Sequence, residues 1–349
     1  MLEAIVTLLL GSLCFWGGMN VGRSGLKRGI TAENIFKGKN AVSLLFLGLY
    51  ILLIVAVLNI PQLQVFPQNW RVYGLQTSWT LIRISFLGFC GMAYAITQKT
   101  ARRQVWSIVV LAIVGFGVFS AAEGYILSPI YGELVSNLQP NGVFKQTSMT
   151  SCAPSALATV LRRWKILDAD EVSVAKYAKT SRLGTTLPQV IDAARQFGMD
   201  GIELSPTWEQ MQLINRPGVL AVWLIDGTRK LPHAVALLAM NAEQAAIGDP
   251  ASGKIYVLTR SDFAEIWRQQ YVPIYRPQEV LLLRQAQAEE YLKQLGYFNQ
   301  DNQTFESALK EFQRSQNIKV TGALDPQTTL LLTGSFLKGV PTLKDFTLS

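Results

Sequence analysis

Four side chains in this sequence are of the types that perform thiol-based acyl transfer, and their order along the chain is Gln146, Cys152, His233, Asp249. Cys152 begins the segment CAPSALATVLRRW. A thiol at a helix N-terminus meets partial positive charge and free N–H donors, which favour the thiolate, the form that attacks a carbonyl carbon. Taken alone, such a Cys reads equally as a buried packing residue. His233 is the one histidine in the chain. An imidazole accepts a proton from the thiol and later gives one to a leaving amine near neutral pH. Asp249 follows sixteen residues on. A hairpin turning at Asn241 to Gln244 would bring it beside His233, where a carboxylate orients the ring and stabilises its cation. By itself Asp249 is also an ordinary Asp-Pro turn starter. The Gln146 amide and the Cys152 backbone N–H would be two donors for the oxyanion of a tetrahedral intermediate.

These residues need elements to hold them. From residue 142 to 275 the pattern is mixed. The Cys152 segment puts Ala156, Leu157, Val160, Leu161 and Trp164 on one helical face, with Pro154 in its opening turn. TLPQVIDAARQFG predicts a second helix, with Thr186 and Gln189 in capping-box spacing and Gly198 as terminator. GVLAVWLI, HAVALLAM, QAAIGDP and KIYVLT read as strands, with turns at Asp226 to Lys230, Asn241 to Gln244 and Pro250 to Gly253. The expectation is an α+β domain built on an antiparallel sheet. Residues 286 to 335 read as a small three-helix module with a thin core of its own, using Tyr291, Leu292 and Leu295, then Phe305, Leu309 and Phe312, then Leu330 and Leu331 after Asp325 and Pro326.

The first 130 residues differ in kind. Leu2 to Val21, Ala41 to Ile60, Ser78 to Thr97 and Val105 to Leu127 each come near the roughly 20 apolar residues of a bilayer span, giving four expected spans. Arg23, Lys27, Arg28, Lys37 and Lys39 fill the first connecting loop, and Lys99, Arg102 and Arg103 the third. The positive-inside rule then places those loops in the cytoplasm and residues 131 onward outside. MLEAIV lacks the basic start of a cleaved signal peptide, so the first helix is expected to stay. Gly18 and Gly22 suit close helix packing, Cys14 and Cys90 read as packing residues, and Arg83 and Glu123 are expected to snorkel to the interface.

Composition agrees. Of 349 residues 49% are hydrophobic and only 16% charged, below the roughly 25% of a soluble protein. The net charge of +8 lies almost wholly in residues 1 to 130, with 10 Lys and Arg against 3 Glu, while the remainder has 22 basic against 21 acidic residues. The excess therefore reads as orientation rather than nucleic-acid binding. Three Cys and one His are too few for a disulfide framework or a His-rich metal site, so no metal and no organic cofactor are implied.

Gln, Cys, His and Asp in that order, with Cys at a helix start and His on a strand, form the order of papain-like cysteine peptidases. QTSMTSCAPSALATVLRRW, TSRLGTTLPQVIDAARQFGM and PHAVALLAMNAEQAAIGDPASGKIYVLTRSDFAEIW together resemble the bacteriocin-processing, double-glycine leader peptidase family. That resemblance implies Gln146 as the oxyanion residue, Cys152 as nucleophile, His233 as general base and Asp249 as its orienting partner. Where the family usually flanks the Cys with an acidic residue and a Gly, this chain has Ser151 and Ala153, and it has no phosphate-binding loop of an attached ATPase. LKQLGYF, ALKEFQ and VTGALDPQT resemble the three-helix peptidoglycan-binding domain, without part of the loop between its first two helices. The reading is a multi-pass protein of the bacterial inner membrane, with its peptidase and wall-binding domains outside, acting on an exported peptide or an envelope protein. Its partners are then a peptide or protein substrate, peptidoglycan and the lipid bilayer. The alternative is a catalytically silent peptidase-like module that anchors an envelope assembly to peptidoglycan.

Overall fold

The computed structural model describes residues 2–33, 48, 51–52, 55, 68–227, 229–298 and 304–345. Two compact units emerge, residues 1–128 and 129–349.

In the first unit the helix Leu2–Lys27 packs along the helix Gln68–Thr100, which is followed by the helix Val105–Ile126. Close approach explains the glycines: a Cβ on Gly18 would stand 1.9 Å from the Gly88 carbonyl oxygen, and one on Gly91 2.1 Å from that of Phe15. Two helices among the described residues, Ser78–Thr100 and Arg102–Ile126, are long and apolar enough to cross a bilayer, with mean hydropathy 1.4 and 2.3. The expected four spans are thus corrected to two possible ones. Leu2 to Val21 lies within a 26-residue helix, and nearly all of Ala41 to Ile60 falls outside the described residues. Arg83 and Glu123 do not snorkel separately. They form an ion pair with side chains only 14% and 12% exposed, and Arg83 Nη1 also reaches Thr7 Oγ1 at 3.4 Å. Opposite charges on two apolar helices neutralise one another more effectively than either could alone.

The second unit is built on a six-stranded antiparallel sheet in the order β1-β6-β2-β3-β4-β5. Its strands are β1 Asp200–Gly201, β2 Gly218–Asp226, β3 Arg229–Met240, β4 Gln244–Asp249, β5 Lys254–Thr259 and β6 Trp267–Tyr275. On one face lie the helices Cys152–Arg163, Glu171–Tyr177 and Leu187–Gln196, packed through Ala156, Leu157, Val160, Ile191, Ala236 and Val272. The capping box at Thr186 forms, with Thr186 N donating to Gln189 Oε1 at 2.8 Å, and Gly198 takes the left-handed conformation that ends this helix.

Two strand assignments are corrected. Asp226 to Lys230 is not all turn: β2 continues to Asp226 and β3 starts at Arg229, so RKLP is strand. Pro232 is tolerated because β4 pairs β3 only from Ala236 onward, so its missing N–H interrupts no ladder on that side. The strand β6 was not legible, since its two adjacent glutamines and Pro273 hide the alternation, yet it occupies the place between β1 and β2.

The helices Gln285–Gln294, Phe305–Ser315 and Pro326–Thr333 match the expected module, and Asp325 caps the last by accepting the Thr328 N–H at 2.9 Å. A core of its own is not what the module has. Leu292, Leu309, Phe312, Leu330 and Leu331 share one cluster with Leu220, Leu237 and Tyr271 from the other face of the sheet and with Met211 of the helix Trp208–Ile214. About 50 residues bury little apolar surface alone, and the sheet face adds to it.

Candidate active site

Cys152 is the first residue of its helix and is half-buried at the edge of the core, while His233 and Asp249 are buried. The register of β3 against β4 sets Ala236 opposite Gly248, so Asp249 at the end of β4 comes within reach of His233, where the buried part of β3 begins. His233 Nε2 lies 2.7 Å from Asp249 Oδ1. With Nε2 donating to the carboxylate, Nδ1 is the ring nitrogen left for the thiol, and Cys152 stands near enough to His233 to favour its cation.

Asp249 is itself fixed. Its Oδ1 accepts the Ala251 N–H at 2.9 Å, and its Oδ2 accepts the Ser252 hydroxyl at 2.8 Å. Burial pushes its pKa up, but the hydrogen bonds from His233, Ser252 and Ala251 outweigh this and hold the carboxyl below its ordinary value. His233 shows the opposite balance. Burial disfavours its cation, yet the hydrogen bond to Asp249 and the proximity of Cys152, with the charges of both, raise its pKa to about 9. Ser252 was not singled out from the sequence; an Asp followed three residues later by Ser at a Pro-containing turn is the signal that marks it.

Gln146 is held by its backbone, which donates to the Pro250 carbonyl at 2.9 Å, directly after Asp249. Its Nε2 donates to the Ser148 carbonyl at 2.8 Å, leaving the second amide proton uncommitted by this bond. Its Oε1 is buried without a hydrogen-bond partner. Turning the amide over would set two acceptor oxygens against each other at Ser148, so this orientation is the favoured one. The arrangement thus unites Cys152, His233 and Asp249, with Gln146 anchored beside the last. Such a set can deliver a thiolate, a proton carrier and a fixed counter-charge. Among the described residues, no three His, Cys, Asp or Glu side chains gather to hold a metal ion.

Residues 141–279 match the Peptidase C39 family, and residues 285–332 match the peptidoglycan binding domain family. An uncharacterized protein of Methanothermobacter thermautotrophicus is 27% identical over 157 residues, which is 44% of this chain and 98% of that relative. The solved peptidase domain of Streptococcus ComA, a bi-functional ABC transporter involved in a quorum sensing pathway, is 22% identical and covers 38% of this chain and 95% of its own, with a TM-score of 0.34. A double glycine motif protease from an AMS/PCAT transporter, solved in complex with the leader peptide, is 22% identical over 38% of this chain and 90% of its own, with a TM-score of 0.33. The chain thus has one segment that matches the Peptidase C39 family and, after it, one that matches the peptidoglycan binding domain.

Proposed function

We propose that the chain is a membrane-anchored cysteine peptidase of the bacterial inner membrane, which hydrolyses a peptide bond of an exported peptide or envelope protein and is held near the wall by its C-terminal domain. The observation that carries this reading is the buried His233–Asp249 pair, with Nε2 2.7 Å from Oδ1, set beside Cys152 at the start of its helix. In this reaction Cys152 Sγ attacks the peptide carbonyl carbon, forming a C–S bond and an oxyanion that Gln146 and the Cys152 N–H receive. Collapse breaks the C–N bond, and the His233 imidazolium gives its proton to the departing amine. Neutral His233 then takes a proton from water, whose oxygen attacks the thioester and releases the acid and the thiol.

The working parts are a membrane region over residues 1–130, the peptidase over 142–275 and the wall-binding segment over 286–335. A membrane location is supported by Val110, Leu111, Ile113, Val114 and Val118, all more than half exposed on one helix, a surface suited to lipid. The basic residues at Lys99, Arg102 and Arg103 support an orientation that leaves residues 131 onward outside. Envelope peptides from cells carrying the wild-type chain or Cys152→Ala provide the test. Fragments present only with Cys152 are expected, and identical peptide sets would contradict peptidase action.

A further inference from the structure

The loop from Gln146 to Cys152 bears both expected oxyanion donors, one at each end, and a buried carboxyl grips it from behind. Glu171 is 0% exposed, and its Oε1 accepts the Thr147 N–H at 2.8 Å. Its Oε2 is buried without a hydrogen-bond partner, as is the Ser155 hydroxyl. Burial raises the pKa of this carboxyl in spite of the Thr147 N–H on its Oε1. Placing a carboxyl in such surroundings is costly, and the helix that Glu171 begins does not require it. That helix is already capped by Asp170, whose Oδ1 accepts the Ser173 N–H at 2.8 Å, while Asp170 N donates to Ser173 Oγ at 2.9 Å.

What Glu171 does hold is the loop. Thr147 follows Gln146 directly. Ser148 O accepts Gln146 Nε2 at 2.8 Å and Ser151 Oγ at 2.9 Å, and Ser148 N donates back to Ser151 Oγ at 3.1 Å. Removing the grip on Thr147 loosens the segment that sets the Gln146 amide, leaving it the Gln146 N–H bond to Pro250 O and the Val135 N–H bond to Thr147 Oγ1, while Cys152 stays fixed by its helix and His233 by Asp249. We infer that Glu171 is a positioning residue, which through the Thr147 N–H keeps the Gln146 amide and the Cys152 N–H converged on one oxyanion. It acts on acyl transfer and not on the thiolate itself. The inference rests on the catalytic reading of Cys152.

Two reagents separate these effects in the full chain purified in detergent, with Cys152→Ala subtracted as background. Iodoacetamide alkylates Cys152 by displacing iodide, and no oxyanion forms. p-Nitrophenyl acetate acetylates it: the thiolate attacks the ester carbonyl through an oxyanion and expels p-nitrophenolate. Glu171→Ala is expected to slow acetylation by about tenfold to a hundredfold while alkylation stays within about twofold. Glu171→Gln, whose carboxamide oxygen still accepts the Thr147 N–H, is expected to rescue acetylation to within about threefold of wild type. The inference is overturned if Glu171→Ala slows both reactions equally or neither, or if Glu171→Gln is as slow in acetylation as Glu171→Ala. Should Glu171→Ala fail to fold, Ser151→Ala decides by the same criterion: one-sided loss of acetylation supports the inference, and equal loss or none overturns it. If wild-type Cys152 alkylates no faster than free cysteine, it is the catalytic reading that fails, and the two failures are distinct.

Discussion

His233 is drawn both ways by its surroundings: burial favours the neutral ring, and Asp249 and Cys152 favour the cation, which prevails with a pKa of about 9. Because the raised value depends on the bond to Asp249, removing that charge must lower it. The chain has a single histidine, so its imidazole resonance in an NMR titration is unambiguous. Wild type is expected to titrate near 9, and Asp249→Asn to titrate at clearly lower pH; an unperturbed titration that Asp249→Asn leaves in place would contradict the arrangement. At this scale the sequence was informative because scarcity did the sorting. One His, and one Cys beyond the first 130 residues, left few ways to assemble a thiol site. Partners of common residue type were not legible: Ser252 and Glu171 are ordinary in a sequence and become distinctive only through burial and contact.

At the scale of elements, the helix starting at Cys152 was readable from its apolar face and early proline, and the structure buries Ala153 through Leu161 without interruption. The strands with clear alternation were readable too. β6 and the RKLP part of β3 were not: Pro232 stands where β4 does not pair β3, and β6 pairs β2 through a register shift between Ala221 and Val222, both facts of tertiary pairing. The terminal helices depend on a polar device inside their core. Buried Gln313 donates to Thr321 Oγ1, Ala323 O and Thr328 Oγ1 at 2.9, 3.1 and 3.0 Å, and its Oε1 accepts the N–H groups of Thr321 and Gly322 at 2.9 and 2.8 Å. Gln313→Leu leaves those groups unsatisfied, and a loss of about 3 kcal/mol or more is expected in denaturant unfolding. A change below about 0.5 kcal/mol would show that this network is not structural.

Across residues 129–349, the peptidase and wall-binding parts form one body. Arg216, fully buried, bonds Glu279 Oε2 through Nε at 3.1 Å and Nη2 at 2.9 Å, and Thr333 Oγ1 through Nη2 at 3.1 Å. Asn215 donates to the Gly334 carbonyl at 3.0 Å and accepts the Leu343 N–H at 3.1 Å, and Met240 N donates to Leu343 O at 3.0 Å. Under the proposed function, a C-terminal part fixed in this way would present the peptidase domain at a set distance and orientation from the wall, a tighter constraint than a flexible tether gives. Deleting residues 285 onward uncovers Leu220, Leu237 and Tyr271 of the shared core, so a chain ending at Arg284 is expected to aggregate or melt at markedly lower temperature than the full chain. Equal melting of the two would show that the halves are independent. This union was hidden in the sequence, where the module has a complete helical pattern and nothing marks the sheet face that completes it.

The central claim is that Cys152 is a nucleophile activated by His233, and the most direct measurement is the rate of iodoacetamide alkylation of Cys152 in the full chain at pH 6. It is expected to exceed that of free cysteine by about tenfold or more, and to fall toward the free value in His233→Ala. A wild-type rate equal to that of free cysteine, unchanged by His233→Ala, would contradict it.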